Sequence, residues 1–94
     1  MKTEDIRITE VEIRLLDTEK DGLIGWASCV LNEAIYLNNI AIRKTQEGRI
    51  KLSFPARRSR NETKYFYFNP INRESMRILH EAIVDKLDFS DFIW

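Results

Sequence analysis

The sequence predicts an α+β fold in which an antiparallel meander of about five strands is followed by one C-terminal helix. Up to residue 68, apolar and polar residues alternate in several short segments, as in strands with one buried face. After residue 72, apolar residues recur every three or four positions, which is typical of an amphipathic helix. The 94 residues suit a single domain, 1–94, because domains run from about 50 to 250 residues.

The predicted strands are bounded by turn and bulge signals. They are expected at residues 6–15, 23–31, 34–42, 49–54 and 64–68. The alternation slips between Ile8 and Val11, which indicates a bulge, and the polar stretch 17–22 is typical of a hairpin loop. Asn38-Asn39 predicts an irregularity because asparagine tolerates left-handed backbone geometry. Residues 56–63 are expected to form a polar, basic connection.

One helix is predicted at the C-terminal end of the chain. Asn72 suits its N-cap, and Glu74 places a negative charge in the first turn, where the helix dipole favours it. The apolar stripe consists of Met76, Leu79, Ile83, Val84 and Leu87. Residues 88–94 are expected to form a short apolar tail.

The charges are unevenly distributed although the chain is neutral overall. The net charge is −4 over residues 1–33, +6 over residues 34–64 and −2 over residues 65–94. Overall neutrality argues against a protein whose whole surface binds polyanions. The basic middle third leaves room for one cationic patch.

The sequence offers no catalytic or metal-ligating constellation, and we expect neither an enzyme nor a cofactor, metal or small-molecule substrate. His80 has no second ligand or nucleophile at matching spacing, so it is interpreted as a boundary residue of the helix. Cys29 lies among apolar residues and is expected to be buried. A single cysteine and the lack of a long apolar run predict a cytoplasmic protein with no membrane partner.

One short segment carries a chemical indication of nucleic-acid binding. Arg57, Arg58 and Arg60 provide three guanidinium groups within four residues, and such groups match phosphate oxygens bidentately. Arg49 and Lys51 are expected on the outward face of the preceding strand. Lys64, Tyr65 and Tyr67 follow, so one face could interleave rings with cations, as in proteins that bind single strands. A solvated basic loop is the alternative interpretation.

Four segments in order resemble the SpoVG family, named after stage V sporulation protein G. They are Ile8-Thr9-Glu10-Val11-Glu12-Ile13-Arg14, Leu37-Asn38-Asn39-Ile40-Ala41-Ile42-Arg43, Phe54-Pro55-Ala56-Arg57-Arg58 and Asn69-Pro70-Ile71-Asn72. The resemblance spans residues 8–87 and leaves residues 1–7 as an N-terminal extension. In the family, the basic loop usually continues into a glycine-acid pair, and a histidine usually stands at the position of Asn69.

The resemblance implies a small dimeric α+β domain that binds DNA or RNA and regulates bacterial cell division, sporulation or virulence. The basic residues of the family motif correspond here to Arg57 and Arg58, with Arg43 at the end of the central strand. Arg60 and Lys64 join the candidate set on charge alone. The full set of candidate nucleic-acid-binding residues is Arg43, Arg49, Lys51, Arg57, Arg58, Arg60, Lys64 and Tyr65.

A homodimer formed through the sheet is expected on physical grounds. One helix covers one face of a sheet and leaves the strand edges open. Ile50, Leu52 and Phe54, together with the apolar tail, are expected to exceed what this helix can bury, and two-fold pairing is the commonest solution. The alternative to nucleic-acid binding is a non-catalytic protein-interaction module that uses a sheet edge or the tail.

Overall fold

The computed structural model describes residues 5–92, with side chains described through Leu87. Its elements are β1 (Ile8–Lys20), β2 (Leu23–Leu31), β3 (Ile35–Lys44), β4 (Ile50–Ser53), β5 (Ala56–Arg58), β6 (Lys64–Phe66) and α1 (Arg73–Phe92). Strands β1 to β4 form one antiparallel sheet in chain order, and β5 pairs with β6 in a separate two-stranded sheet. The predicted α+β meander is confirmed, but the fifth predicted strand does not join it.

Tight turns connect the first three strands, with two residues between β1 and β2 and three residues, 32–34, between β2 and β3. Asp21 and Gly22 have φ values of 52° and 87°, and Asn32 and Glu33 have φ values of 51° and 56°. Such left-handed pairs form tight turns whose twist matches that of the flanking strands. The expected loop over residues 17–22 is therefore wrong. Strand β1 continues to Lys20, which pairs with Leu23, and only two residues remain in the turn.

Both predicted irregularities of the strands are confirmed. Glu10 has a φ of 52°, and the register of β1 against β2 shifts between Thr9 and Glu12. Asn39 has a φ of 61°, and the register between β2 and β3 shifts beside it. These bulges bring apolar side chains back to the helix-facing side after each interruption of the alternation.

The chain leaves the main sheet at Pro55. Pro55 has no backbone N–H to continue a ladder, and β4 ends two residues before it. Residues 56–58 then form β5, so the interpretation of residues 56–63 as a connection alone is wrong. The predicted strand at 64–68 is present over three residues as β6, but it pairs with β5.

Helix α1 covers one face of the main sheet. The backbone N–H of Ser75 donates to Asn72 Oδ1 at 2.8 Å, which confirms the predicted N-cap. Leu79, Ile83 and Leu87 are buried against strand residues of the core that include Cys29, Ile40 and Ile42. The half-buried His80 donates from Nε2 to the carbonyl oxygen of Ile50 at 2.9 Å, joining the helix to β4.

The helix is longer than the apolar stripe indicates. Its backbone continues through Phe92, so residues 88–92 of the predicted short apolar tail belong to α1. Residues 93–94 of the predicted tail lie outside the described residues. Within residues 5–92, no helix is long and apolar enough to cross a membrane.

The apolar residues of β4, and Phe54 directly after it, pack against the core. Leu52 is buried, and Ile50 and Phe54 pack against the core cluster. Ile50 and Phe54 are only partly buried, so they keep some exposed apolar surface, and the dimer stays a prediction. The four-stranded sheet still ends in two edge strands, β1 and β4.

Candidate nucleic-acid interface

The two-stranded sheet forms a hairpin that carries most of the predicted site. Arg57 pairs with Tyr65 and Arg58 pairs with Lys64 across its two strands. Side chains alternate between the faces of a strand, and directly opposed residues share a face. Arg57 and Tyr65 therefore lie on one face, and Arg58 and Lys64 lie on the other. We call residues 55–67 the basic hairpin.

The tip of the basic hairpin is a three-residue turn. The N–H of Glu62 donates to the carbonyl oxygen of Ser59 at 2.9 Å, and the N–H of Ser59 donates to that of Thr63 at 3.0 Å. Glu62 has a φ of 63°, the left-handed position that glycine favours in such turns. The Ser59 hydroxyl donates to Asn61 Oδ1. These bonds hold Arg60 at the outermost point of the turn.

Aromatic rings attach the base of the basic hairpin to the core. Phe54 and Phe68 meet edge to face, with ring centroids 5.9 Å apart and planes at 73°. Both rings pack against the core cluster. The N–H of Tyr67 donates to the carbonyl oxygen of Pro55 at 2.9 Å, which extends the ladder of β5 and β6 to this base.

The basic side chains of the hairpin are exposed and available to a ligand. Arg57, Arg58, Arg60 and Lys64 are all exposed, and none forms a salt bridge with any residue described in the structure. The guanidinium of Arg58 donates to the carbonyl oxygen of Glu62 at 3.4 Å. With Glu62 as the single acidic residue, the hairpin carries a net charge of +3. It is an exposed cationic projection.

The remaining basic candidates form a second group at the other end of β4. Arg43 of β3 pairs with Lys51 of β4, so both share a face, and Arg43 Nη1 donates to the carbonyl oxygen of Asp21 at 3.4 Å. Arg49 lies in the β3–β4 turn, where its N–H donates to Thr45 Oγ1, and not in the strand as predicted. Strand β4 has four residues, about 13 Å at 3.3 Å per residue. The group formed by Arg43, Arg49 and Lys51 therefore lies near the first residue of β4, whereas the basic hairpin begins after its last residue.

The candidate set includes only one ring, Tyr65, of a larger aromatic surface. Phe66 is 45% exposed, and Lys64 Nζ lies 5.0 Å from the centroid of its ring. Tyr67, outside the candidate set, is 68% exposed. The consecutive rings Tyr65-Phe66-Tyr67-Phe68 indicate such a surface, because successive side chains of a strand face opposite sides. The basic run of β5 has no apolar alternation and gave no sign of a partner strand.

Metal-ligating residue types do not come together in the part of the chain that the structure describes. No cluster of three or more histidine, cysteine, aspartate or glutamate side chains suited to a metal occurs among the side chains described, those of residues 5–87. The Cys29 thiol is buried, and this burial raises its pKa. A buried neutral thiol is a poor nucleophile.

The fold and the basic hairpin together define a small α+β domain, in which a helix-backed antiparallel meander presents a separate cationic hairpin. A sequence model of the SpoVG family matches residues 6–88, and the chain belongs to this family. It is 28% identical over 81 residues to the "Putative septation protein SpoVG" of Phytoplasma australiense, covering 86% of this chain and 82% of that protein. The resemblance of residues 8–87 to this family is thereby confirmed.

Proposed function

We propose that this domain is a non-catalytic nucleic-acid-binding regulator of the SpoVG type that acts in bacterial septation or sporulation control. The observation that supports binding is the basic hairpin, whose four cationic side chains are exposed and without carboxylate partners among the described residues. The septation role is supported by family membership and by the name of the relative. The binding role and the cellular role are separate parts of this proposal.

Phosphate contacts are the chemistry that such a projection provides. Guanidinium groups match phosphate oxygens bidentately, and each neutralised phosphate releases condensed counterions. If all four cations of one hairpin bind phosphates, the plot of log affinity against log salt has a slope of about −3 to −4. Arg43, Arg49 and Lys51 form a flanking group that a longer ligand would reach.

Fluorescence-anisotropy titration tests the binding role. Short duplex DNA, single-stranded DNA and RNA are titrated at two salt concentrations with the wild type and with the Arg57→Ala/Arg58→Ala variant. The control is Arg14→Ala/Arg73→Ala, which removes the same charge from two exposed residues outside the hairpin. We expect salt-sensitive binding that the hairpin variant loses and the control keeps. Equal binding by the two variants, or no binding by the wild type, would refute the proposal.

We also propose that the domain is a homodimer joined through its sheet. Strands β1 and β4 each present an unpaired side among the described elements, and an unpaired strand edge is a template for another strand. A symmetric pair would place two basic hairpins on one ligand and raise the effective concentration of the second. Light scattering at micromolar concentration is expected to give twice the 11.2 kDa of one chain. A monomeric mass would exclude the dimer.

A protein-interaction module is the second candidate, and an apolar groove favours it. The groove, of about 200 Å³, lies between the start of α1 and the ends of the neighbouring strands, and its apolar lining includes Ile8, Leu31, Pro70 and Ile71. Ile71 is 89% exposed. In this case, association would tolerate the arginine substitutions and salt but not Ile71→Asp. Light scattering of Ile71→Asp and of Arg57→Ala/Arg58→Ala tests this for self-association. Loss of association in Ile71→Asp alone supports the groove as the contact surface.

A further inference from the structure

The two faces of the basic hairpin differ in what they contact. On one face, Lys64 lies over the ring of Phe66. Two residues past the end of β6, Phe68 makes the edge-to-face contact with Phe54. This face therefore leads into the hydrophobic core. Phe68 packs against the core, whereas Phe66 stays 45% exposed beneath the Lys64 ammonium.

The opposite face presents tyrosines to solvent. Tyr65 lies opposite Arg57, and Tyr67 lies opposite Pro55, so these side chains share one face. The two tyrosines are 52% and 68% exposed. We call Arg57, Tyr65 and Tyr67 the tyrosine face. It combines two open rings with a guanidinium that lies directly across from one of them.

The spacing of the rings determines which nucleic acid they fit. Two residues along one side of a strand are about 7 Å apart, roughly twice the 3.4 Å that separates stacked nucleotides along a strand. Neighbouring bases can therefore occupy both rings only when they are unstacked from each other. Paired bases inside a duplex cannot reach the rings, whereas a flexible single strand can place one base on each.

We propose that the ligand of the basic hairpin is a single-stranded nucleic acid, with successive bases stacked on Tyr65 and Tyr67 and a phosphate bound by Arg57. This inference rests on the proposed nucleic-acid-binding function and specifies its ligand. The cations support a nucleic acid rather than a protein as the occupant, since phosphates complement the +3 charge of the hairpin. Arg58, Arg60 and Lys64 supply the surrounding positive field.

The test compares the wild type with Tyr65→Ala/Tyr67→Ala on single-stranded DNA, single-stranded RNA, duplex DNA and an abasic phosphate chain of the same length. Each lost stack is expected to weaken single-strand binding by about 5- to 150-fold. Tyr65→Phe/Tyr67→Phe keeps both rings and should bind as the wild type does. Tyr36→Ala removes a ring that is 63% exposed on β3 and serves as the matched control.

The abasic chain separates stacking from a structural effect of the substitutions. It keeps the phosphates and lacks the bases, so the alanine variant and the wild type should bind it equally. Unequal abasic binding by correctly folded proteins would overturn the assignment of the tyrosines to bases. The comparison of affinities for single-stranded RNA and single-stranded DNA identifies the sugar that the site prefers.

Failure of this inference is distinguishable from failure of the proposed function. If duplex and single strands bind equally, and the tyrosine variant matches the wild type while Arg57→Ala/Arg58→Ala loses binding, the hairpin binds only phosphates. That result overturns the single-strand proposal and leaves the nucleic-acid function intact. If the wild type binds none of the polymers at low salt, both proposals fail.

Discussion

Replacing Gly25 by alanine tests how closely β1 and β2 approach each other. A Cβ at this position would lie 2.6 Å from the carbonyl oxygen of Arg14 and 3.1 Å from the Cα of Leu15. Both atoms belong to the backbone of the paired strand, so no side-chain rotation relieves the overlap. Overpacking costs about 1–3 kcal/mol, and we expect the upper end, about 3 kcal/mol, because two strands must separate.

Thermal unfolding followed by circular dichroism measures this cost. In a domain of this size, 1 kcal/mol lowers Tm by about 4–8 °C, so Gly25→Ala should lower Tm by at least about 12 °C. Gly48→Ala is the control, because its Cβ meets nothing within 4 Å and only the φ of +86° opposes it. That strain costs about 1–2 kcal/mol. A smaller loss at Gly25 than at Gly48 would refute the reasoning.

Three further predictions concern the helix cap, the hairpin turn and the thiol. Asn72→Ala removes the cap on the Ser75 N–H and should cost about 1 kcal/mol, whereas Asn72→Asp should retain Tm; equal melting of the two variants would contradict this role. Glu62→Gly relieves a left-handed residue and should stabilise the basic hairpin by about 0.5–1 kcal/mol, measured as slower amide exchange in β5 and β6; faster exchange would contradict it. Because burial raises the pKa of Cys29, the unfolded chain loses its thiol proton first, so the free energy of unfolding should fall above about pH 8.5. A thiol reagent that labels the folded protein at the rate of a free cysteine would refute this burial.

The main sheet was predictable because local signals and burial agree there. Asn32 and Asn39 tolerate the positive φ that their positions require, and Glu33 adopts it within the same turn as Asn32. The alternation of apolar residues around these positions sets the buried face of the sheet. Asn72 and the apolar spacing after it likewise predicted the start of α1. Its end was not predictable, because the helix continues past the last residue of the apolar stripe.

The candidate site was predictable in composition and only partly in geometry. The residue types of Arg57 and Arg58 indicated phosphate chemistry, but their pairing with Tyr65 and Lys64 depends on a strand that has no apolar alternation. Pairing between two short polar strands is set by the turn that joins them, here with Glu62 in a position usually taken by glycine. The distribution of Arg43, Arg49 and Lys51 depends on where β4 begins, which a turn hydrogen bond to Thr45 determines.

The edge-to-face contact of Phe54 and Phe68 lies at the junction between two separate sheets. A two-stranded sheet is only marginally stable by itself, and β5 and β6 share no ladder with the main sheet. The hairpin can therefore open locally at a small free-energy cost while the helix-backed sheet stays folded. Substitutions in the hairpin are therefore expected to have little effect on the folding of the main sheet, provided that the two phenylalanines at its base remain.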